Sequence, residues 1–514
     1  MSNEKTVHII GAGMAGLCAG CYLQMNGYRT RIFELHDVPG GLCAAWDRRG
    51  YTFDGCIHFV LGSNPGNSFH RLWRELIDTK ALRWVDPDVR LHVRVRNERA
   101  PDGGSTLHLH SKIDRLRAYL LEISPDDAKT IDGLIRAARA IQRYELPPGI
   151  ERAPELTGLR DRLSMIRLVP ALPVLLRWAR MSNKAFARKL KSPFLREAFE
   201  DLFGGDEFPM VMVAMQMAWF DQGSAGYPLG GSRPFARLFA DRYEQLGGTI
   251  QYRSRVKRII VESDRAVGVE TDDGKSSRAD IVISAADGHF TIFEALGGRY
   301  LDQATRDLYD GRRYKTFPSL LYVSLGVKRR FAEHEGGLTR ILLREPWTLC
   351  DGTTLHMLDT HVMSFDPTLA PEGATTINVM VQTRAFEWWS ALRASDREAY
   401  RARKNEIASR VVDELHGVFG NIRDCVDEVD VATPATFHRY TNNWQGSYEG
   451  WEPSADILAG KALPKELPGL SGFYMVGQWM SPGGGLPLAI MHARHLAELI
   501  CYRDGRQLRV IPPA

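Results

Sequence analysis

The sequence lacks the features of a membrane-spanning, secreted or nucleic-acid-binding protein. No stretch of its 514 residues reaches the roughly 18 uncharged apolar residues that a transmembrane helix needs. The first residues, MSNEKTV, have no basic segment followed by an apolar run, so we expect no secretory signal. The formal net charge is only +4, which gives no indication of a nucleic-acid partner.

Cysteine is also scarce, with seven residues, an odd number. Only Cys18 and Cys21 form a CxxC pair, and no second such pair exists to complete a zinc site. We therefore expect a reduced, cytoplasmic setting, and we interpret both cysteines as small packing residues in a helix. No HExxH, no Ser-His-Asp order and no paired carboxylates stand out, so we expect no metal site.

What the sequence does contain is a strand-turn-helix-strand pattern at its start, KTVHIIGAGMAGLCAGCYLQMNGYRTRIFE. Residues 5–10 are apolar and rich in β-branched side chains, which predicts a buried strand. A helix should run from about Met14 to Met25, because Asn26-Gly27 is a good stop signal. The stretch TRIFE then predicts a second strand that ends at Glu34.

The turn of this unit carries one Gly-x-Gly-x-x-Gly, at Gly11, Gly13 and Gly16. In a dinucleotide site the first glycine allows the tight turn, the second lets a pyrophosphate approach, and the third lets helix and strand pack closely. Glu34 follows 18 residues after Gly16, where the ribose hydroxyl needs an acceptor. The order of elements therefore predicts a dinucleotide-binding unit.

Two further stretches resemble those of FAD enzymes more than those of NAD enzymes. Gly40 and Gly41 form a glycine doublet soon after the first unit, in DVPGGLCAAW. Near the other end, GFYMVGQWMSPGGGLPLAIMHARHLAELIC predicts a strand, a loop at 481–485 and a helix at 486–500. The free N–H groups and positive end of such a helix suit an electron-rich ring edge, as the flavin N1/O2 edge is.

The remaining blocks predict an α/β fold of two interlocked domains. Residues 226–288 contain a glycine turn, a helix, strands around Val256 and Val267 and a hairpin turn at 272–274. We expect a doubly wound, Rossmann-like FAD-binding domain from 1–75, 225–300 and 468–514. An α+β substrate domain should come from 76–224 and 301–467. No second Gly-x-Gly-x-x-Gly exists, so we expect no separate NAD(P)H domain.

Three motifs together resemble the phytoene desaturase-like flavoproteins: PGGLCAAWDRRGYTFDGCIHF, YPLGGS and GQWMSPGGGLPLAI. That group includes carotenoid desaturases, carotenoid cis–trans isomerases and retinol saturases. The resemblance implies FAD, a hydrophobic substrate and peripheral membrane association. Two departures leave the direction of the chemistry open: Gln478 replaces a common Asp, and Leu42-Cys43 stand where desaturases often have an Arg.

The glycine motifs and the resemblance together give a set of predicted cofactor-binding residues. The set is Gly11, Gly13, Met14, Ala15, Gly16, Glu34, Leu35, Gly40, Gly41, Leu42, Val256, Gly477, Gln478, Met480 and Leu486. The predicted catalytic residues are His58, which the resemblance places near the flavin, and Tyr227 and Trp479, expected close to the ring. In such enzymes the cofactor carries the chemistry, so the lack of an acid–base pair in the sequence is expected.

Two segments concern the substrate. Residues 156–196 hold ten Lys or Arg and one acid around the apolar run LVPALPVLL. Cations around a short apolar run suit the surface of an anionic membrane, although a solvated basic helix has the same composition. Residues 209–220, PMVMVAMQMAWF, hold Met210, Met212, Met215 and Met217, which could line a lipid channel or fill a core.

The sequence thus predicts an FAD-dependent oxidoreductase that moves a hydride between FAD and a C–H or C=C bond of an isoprenoid, polyene or similar lipid. Three alternatives remain: a redox-neutral isomerase that uses reduced FAD, an amine oxidase, and a non-enzymatic lipid or prenyl carrier. The expected partners are the hydrophobic substrate, a quinone or other diffusible electron acceptor, and an anionic membrane surface, with no nucleic acid.

Overall fold

The computed structural model describes residues 4–144, 150–158, 165–202, 208–331, 336–453 and 463–513. The strands are β1 Thr6–Ile10, β2 Arg29–Phe33, β3 Ala45–Arg48, β4 Tyr51–Asp54, β5 Val60–Leu61, β6 Trp84–Val85, β7 Val89–Arg94, β8 Thr106–His110, β9 Ala225–Pro228, β10 Thr249–Gln251, β11 Val256–Glu262, β12 Arg265–Thr271, β13 Ser276–Arg278, β14 Ile281–Ser284, β15 Ser319–Val327, β16 Leu338–Thr348, β17 Thr354–Val362, β18 Thr375–Thr383, β19 Val426–Ala432 and β20 Phe473–Met475.

The α-helices follow the same chain order. They are α1 Met14–Met25, α2 Ser68–Leu76, α3 Ile113–Ile123, α4 Ala128–Tyr144, α5 Leu172–Ala179, α6 Asn183–Ala187, α7 Pro193–Glu200, α8 Met210–Asp221, α9 Ser232–Gln245, α10 Gln303–Tyr309, α11 Phe386–Ser395, α12 Arg397–Phe419, α13 Pro434–Thr441 and α14 Leu486–Arg503. None of these described helices is both long and apolar enough to cross a membrane.

A five-stranded parallel sheet, in the order β10-β2-β1-β14-β20, forms the first layer of the molecule. Its central strands TVHII and IVIS are buried, as expected for parallel strands covered on both faces. Helix α1 packs against α9 and α14 and is itself buried, including Cys18 and Cys21. The predicted Rossmann-like α/β fold is confirmed.

A second, seven-stranded sheet has the order β19-β15-β18-β17-β16-β7-β8. Only the β16–β7 pair is parallel, and the other pairs are antiparallel. Residues of β7 and β8 share a hydrophobic core with α3 to α8, while α11 and α12 pack into the core of the β15–β18 strands. This sheet and its helices form a second layer of mixed α and β structure.

The two sheets draw their strands from different parts of the chain. The parallel sheet takes β1 and β2 from 1–75, β10 and β14 from 225–300, and β20 from 468–514. The larger sheet takes its strands from 76–224 and 301–467. The chain therefore passes back and forth between two layers, and the division into two domains at these boundaries stays a prediction.

Candidate active site

The turn between β1 and α1 is shaped to receive a pyrophosphate. Gly11 has a φ of +97°, which favours glycine, and a Cβ at Gly16 would lie 2.0 Å from the carbonyl oxygen of Gly11. Helix α1 begins at Met14, and its N-cap Gly13 offers no side chain to the first N–H groups. These N–H groups and the positive end of the helix dipole are therefore left for an anionic ligand.

Glu34 follows β2 directly, and both of its carboxylate oxygens accept backbone hydrogen bonds. Oε2 accepts from the N–H of Ala12 at 2.6 Å, and Oε1 accepts from the N–H of His36 at 2.8 Å. Burial raises the pKa of Glu34, and the backbone N–H bonds oppose that shift. Glu34 thus stabilises the fold, because its hydrogen bonds connect the glycine turn to the end of β2. Its side chain also lines the cavity.

A large cavity joins this cradle to the second sheet. Its volume is about 1880 Å³, well above the roughly 300–1,000 Å³ of an ordinary small-molecule pocket. Its wall includes the glycine turn, the loop before α14 and parts of helices α5 and α8. The wall contains these predicted cofactor-binding residues: Gly11, Gly13, Met14, Ala15, Glu34, Leu35, Gly40, Gly41, Leu42, Val256, Gly477, Gln478 and Leu486. The cavity is therefore larger than one ordinary small-molecule ligand needs.

Three predicted residues lie outside the cavity wall. Gly16 contributes by letting α1 approach Gly11, and Met480 is buried in the core beside β20. Tyr227 is buried, and its hydroxyl donates to Oδ2 of Asp54 at 3.0 Å. The same carboxylate accepts from the backbone N–H of Ser232 at 2.8 Å. The structure thus places Tyr227 outside the cavity wall with its hydroxyl on Asp54, and the catalytic role that we expected for it stays a prediction.

The loop at 481–485 presents a helix N-terminus to the cavity. Gly485 is the N-cap of α14, has a φ of +90° and provides no side-chain cap. Ser481 hydrogen-bonds to Nε2 of His492 on α14 at 2.8 Å, which fixes the start of the loop. Trp479 lines the cavity just before the loop, and its Nε1 has no partner among the described residues. This end of α14 can stabilise negative charge on an electron-rich ring.

His58 lines the cavity and faces a second histidine. Its Nδ1 lies 3.5 Å from Nδ1 of His361 on β17. Burial lowers the pKa of both imidazoles, and the neighbouring His58 lowers that of His361 further. The pair is therefore neutral at physiological pH, so His58 can orient a ligand or pass a proton but supplies no fixed positive charge.

The apolar wall of the cavity comes from α8 and the second sheet. Of the four methionines on α8, Met212 and Met215 line the cavity with Trp219, while Met210 and Met217 are buried in the helical core. One helix thus contributes two methionines to the core and two to the cavity wall, and the use of that wall as a lipid channel stays a prediction. Flexible thioethers suit a long, conformationally variable ligand.

Four cross-strand neighbours on the second sheet form one side of the cavity, which we call its roof. Tyr322, Met380, Asp359 and Arg340 follow one another across β15, β18, β17 and β16, and all four line the cavity. Arg340 donates from Nε and Nη2 to the two oxygens of Asp359, both at 2.7 Å. The opposite charges of Arg340 and Asp359 neutralise each other, so the pair adds no net charge to the roof.

Among the acidic groups of the wall that sequence reasoning missed, two have a raised pKa. Asp287 accepts the backbone N–H groups of Phe290 at 2.8 Å and Trp444 at 2.9 Å, and burial raises its pKa to about 7. Burial likewise raises the pKa of Glu449 to about 8. The only sequence signal for Glu449 is an acid inside the aromatic stretch SYEGW, which by itself indicates no site.

The basic segment 156–196 lies beside the cavity, with residues 159–164 outside the described part of the chain. Its large apolar side chains Ile166, Val169, Leu172 and Leu176 are 59%, 54%, 45% and 47% exposed. Leu172 and Leu176 also line the cavity. The exposed apolar surface and the cavity therefore meet at the start of α5.

The geometry fits FAD at both ends of a dinucleotide site. Gly11 and Gly13 line the cavity where a pyrophosphate is expected, Glu34 lies at the end of β2 where a ribose acceptor is expected, and the uncapped start of α14 opens on the same cavity. A Cβ at Gly13 would meet only the Cα of Gly41, at 4.0 Å. The space above Gly13 is thus open for a ligand rather than filled by protein.

Comparisons with known proteins agree with this geometry. The family model described as flavin-containing amine oxidoreductase matches residues 14–501. The chloroplastic prolycopene isomerase of Arabidopsis thaliana is 25% identical over 493 residues, 93% of this chain and 79% of its own. The lycopene-forming phytoene desaturase of Paracoccus sp. is 25% identical over 516 residues, 96% of this chain and 97% of its own. Among solved structures, an oxidoreductase from Methanosarcina mazei has a TM-score of 0.61 at 16% identity, covering 96% of this chain and 100% of that one.

The structural match shows the fold, and the curated relatives confirm the resemblance seen in the three sequence motifs. The family model covers nearly the whole chain, from Met14 at the start of α1 to Cys501 near the end of α14. The chain belongs to the flavin-containing amine oxidoreductase family and is an FAD-dependent oxidoreductase.

Proposed function

We propose that the protein transfers a hydride between FAD and a C–H or C=C bond of a hydrophobic isoprenoid or polyene. The observation that carries this proposal is the cavity, whose wall includes both the dinucleotide cradle and the apolar surface of α5 and α8. Its volume exceeds what a cofactor alone needs. The relatives named for prolycopene and phytoene act on such molecules by their names, which supports the same substrate class here.

FAD would supply the two-electron chemistry, and the residues of this chain would bind, orient and shield the reactants. Gly13 and Glu34 would hold the dinucleotide, and the N-terminus of α14 would face the ring. Met215 and the neighbouring apolar wall would exclude water and align the long substrate. His58, neutral beside His361, would position the substrate without adding charge.

We further propose that residues 165–196 dock the protein on an anionic membrane, from which the substrate enters. Side chains of Arg177, Arg180, Lys189 and Lys191 are exposed in this segment, as are the apolar residues at the start of α5. Each cation near an anionic surface contributes on the order of 1 kcal/mol. A membrane quinone would then lie within reach as the electron acceptor of a desaturase.

An isomerase that uses reduced FAD is the second candidate, because a prolycopene isomerase is among the relatives that match this chain along most of its length. It would need an initial reduction but no electron outlet. An amine oxidase, the activity in the family's description, would release peroxide when given amines. A carrier without enzymatic activity would bind lipid without changing it.

One anaerobic experiment with the purified, yellow protein and extracted lipid separates the enzymatic cases. A desaturase bleaches oxidised FAD when lipid is added, and a quinone restores the colour. A saturase reoxidises pre-reduced FAD as the lipid gains hydrogen. If only the pre-reduced enzyme changes the lipid, with no hydrogen gained or lost and no net flavin oxidation, the hydride-transfer proposal is wrong and the isomerase is right.

A further inference from the structure

Glu449 differs from the other acidic residues of the cavity wall. Its carboxyl group lines the cavity, and within the described part of the chain it has neither a hydrogen-bond donor nor a cationic partner. It follows Tyr448 in a segment where aromatic rings dominate. A carboxyl group in such a place favours its neutral, protonated form, because burial penalises the charge.

The other acids of the wall are each held by partners. Glu34 and Asp287 accept backbone N–H groups, Asp359 is paired with Arg340, and Glu452 forms an ion pair with Arg384. These partners fix the carboxylates and favour ionisation. Among the described residues of the cavity wall, Glu449 is therefore the acid whose carboxyl group has no protein partner that favours ionisation.

The position of Glu449 brings it to the end of the cavity where α14 begins. A Cβ built at Gly484 would lie 2.9 Å from both Cδ and Oε2 of Glu449, and one at Gly485 would lie 4.0 Å from Oε1. The carboxyl group thus packs against the glycine loop that precedes α14. Burial favours the protonated form, while the positive end of α14 stabilises the carboxylate once it forms. The carboxyl group of Glu449 can therefore be either protonated or ionised at this position.

We propose that Glu449 is the catalytic acid–base residue that exchanges with the substrate the proton accompanying hydride transfer, an inference that rests on the proposed function. In the desaturation direction one carbon loses a hydride to the flavin, and its neighbour loses a proton to the Glu449 carboxylate. The electron pair of that second C–H bond becomes the new double bond. In the saturation direction the Glu449 carboxyl group returns the proton as the hydride adds, so atoms and electrons balance both ways.

The other titratable groups of the cavity wall do not cause the raised pKa of Glu449. His58, Asp287, Lys315, His492, the Arg340–Asp359 pair and the Arg384–Glu452 pair all line the same cavity. The raised pKa of Glu449, about 8, comes from burial alone, with no contribution from these groups. Asp287 titrates near neutrality too, but its oxygens already accept two backbone N–H groups.

Infrared spectroscopy of the flavin-loaded enzyme tests the protonation directly. A pH titration should show a carboxyl C=O band that disappears with a midpoint near pH 8. Glu449→Gln should lack that band at an unchanged flavin content. The matched control Glu452→Gln, which removes an ion-paired acid of the same wall, should keep it.

Kinetics with a polyene substrate test the catalytic role. Glu449→Gln should lower kcat by about 10²–10⁴-fold with little change in KM, and the limb of the pH profile near pH 8 should disappear. Glu449→Asp should restore part of kcat. The inference is overturned if the carboxyl band with a midpoint near pH 8, as distinct from any band of Asp287 near pH 7, persists in Glu449→Gln, or if kcat is within a few-fold of wild type at every pH. If wild type changes no polyene, the proposed function fails and the catalytic role with it, and the infrared band still reports separately on the proton.

Discussion

Gly13 and Gly16 lie three residues apart, yet an added side chain would meet very different surroundings. A Cβ at Gly13 meets only the Cα of Gly41 at 4.0 Å, whereas a Cβ at Gly16 would lie 2.0 Å from the backbone oxygen of Gly11. The first position faces the ligand space and the second faces the protein. Glycine serves binding at one position and folding at the other.

We predict that Gly13→Val folds but does not hold FAD. Its side chain enters the space through which a pyrophosphate approaches the backbone. The purified variant should be colourless with a far-UV circular dichroism spectrum like that of the wild-type apoprotein. Gly16→Ala is the matched comparison and should lose about 3 kcal/mol or more of stability, because a backbone atom cannot move aside cheaply. A Gly13→Val protein with a full load of flavin would contradict the cradle assignment.

Removing the Glu34 carboxylate should affect folding and binding together. Glu34→Ala leaves the buried N–H of Ala12 without its acceptor, which costs roughly 1–3 kcal/mol. The same change removes the ribose acceptor, so flavin should dissociate more readily. Urea unfolding of the apoprotein and flavin content measure the two effects, and Glu34→Gln, which keeps one acceptor oxygen, should be intermediate in both. Unchanged apoprotein stability in Glu34→Ala would show that the hydrogen bond to Ala12 contributes nothing.

Glu449 should also leave a signature in the pH dependence of stability. Its pKa rises from an ordinary 4.5 to about 8 on folding, so between these values the folded protein holds a proton that the unfolded chain has released. Stability therefore falls as pH rises through this window. In Glu449→Gln that fall should be smaller, so the Tm of the variant should gain several degrees on wild type between about pH 5 and pH 8. A constant Tm difference across the window would argue against the raised pKa.

At the scale of elements, local sequence patterns predicted structure well where one stretch determines one element. Helix α1 runs over the predicted Met14–Met25, and α14 begins at Leu486 as expected. It ends at Arg503 rather than at the predicted residue 500, because the chain stays helical until Gly505 provides a left-handed turn. Two of the four methionines of α8 lie in the core and two line the cavity. The sequence could not predict this division, because the core-facing and cavity-facing sides of the helix have similar compositions.

The element that should decide membrane attachment is the start of α5. Replacing both Leu172 and Leu176 by Asp removes two exposed apolar side chains and adds negative charge beside the cations. Co-sedimentation with anionic liposomes at low salt should fall about tenfold or more. Each leucine side chain that becomes buried in the bilayer contributes about 1.5–3 kcal/mol to the free energy of membrane binding. Wild-type binding should itself fall as salt rises.

A control with the same kind of change elsewhere separates this effect from general solubility. Tyr502 is 66% exposed near the end of α14, and Tyr502→Asp should leave liposome binding unchanged. If the double leucine variant sediments like wild type, or if neutral vesicles at high salt bind equally well, the docking proposal is wrong.

At the scale of the whole molecule, the contacts that complete the site join residues far apart in the chain. The carboxylate of Asp287 accepts from Trp444, 157 residues away, and His58 meets His361 across 303 residues. Such pairings depend on how the two sheets come together, which no local pattern encodes. The same reason explains Tyr227: its motif was recognised, but its hydroxyl turns to Asp54 rather than to the cavity. The glycine turn was predictable because β1, the turn, α1 and β2 form one continuous stretch of the chain.

We propose that hydride passes between bound FAD and the double-bond system of a long apolar substrate. The most direct measurement is an anaerobic single turnover of the flavin-loaded enzyme with a purified polyene, in which flavin absorbance and product mass are followed together. We predict one flavin reduced for each double bond formed, or one reduced flavin oxidised for each double bond lost. A polyene that binds while flavin and product mass both stay unchanged, or a flavin that is bleached by amines instead, would contradict the account.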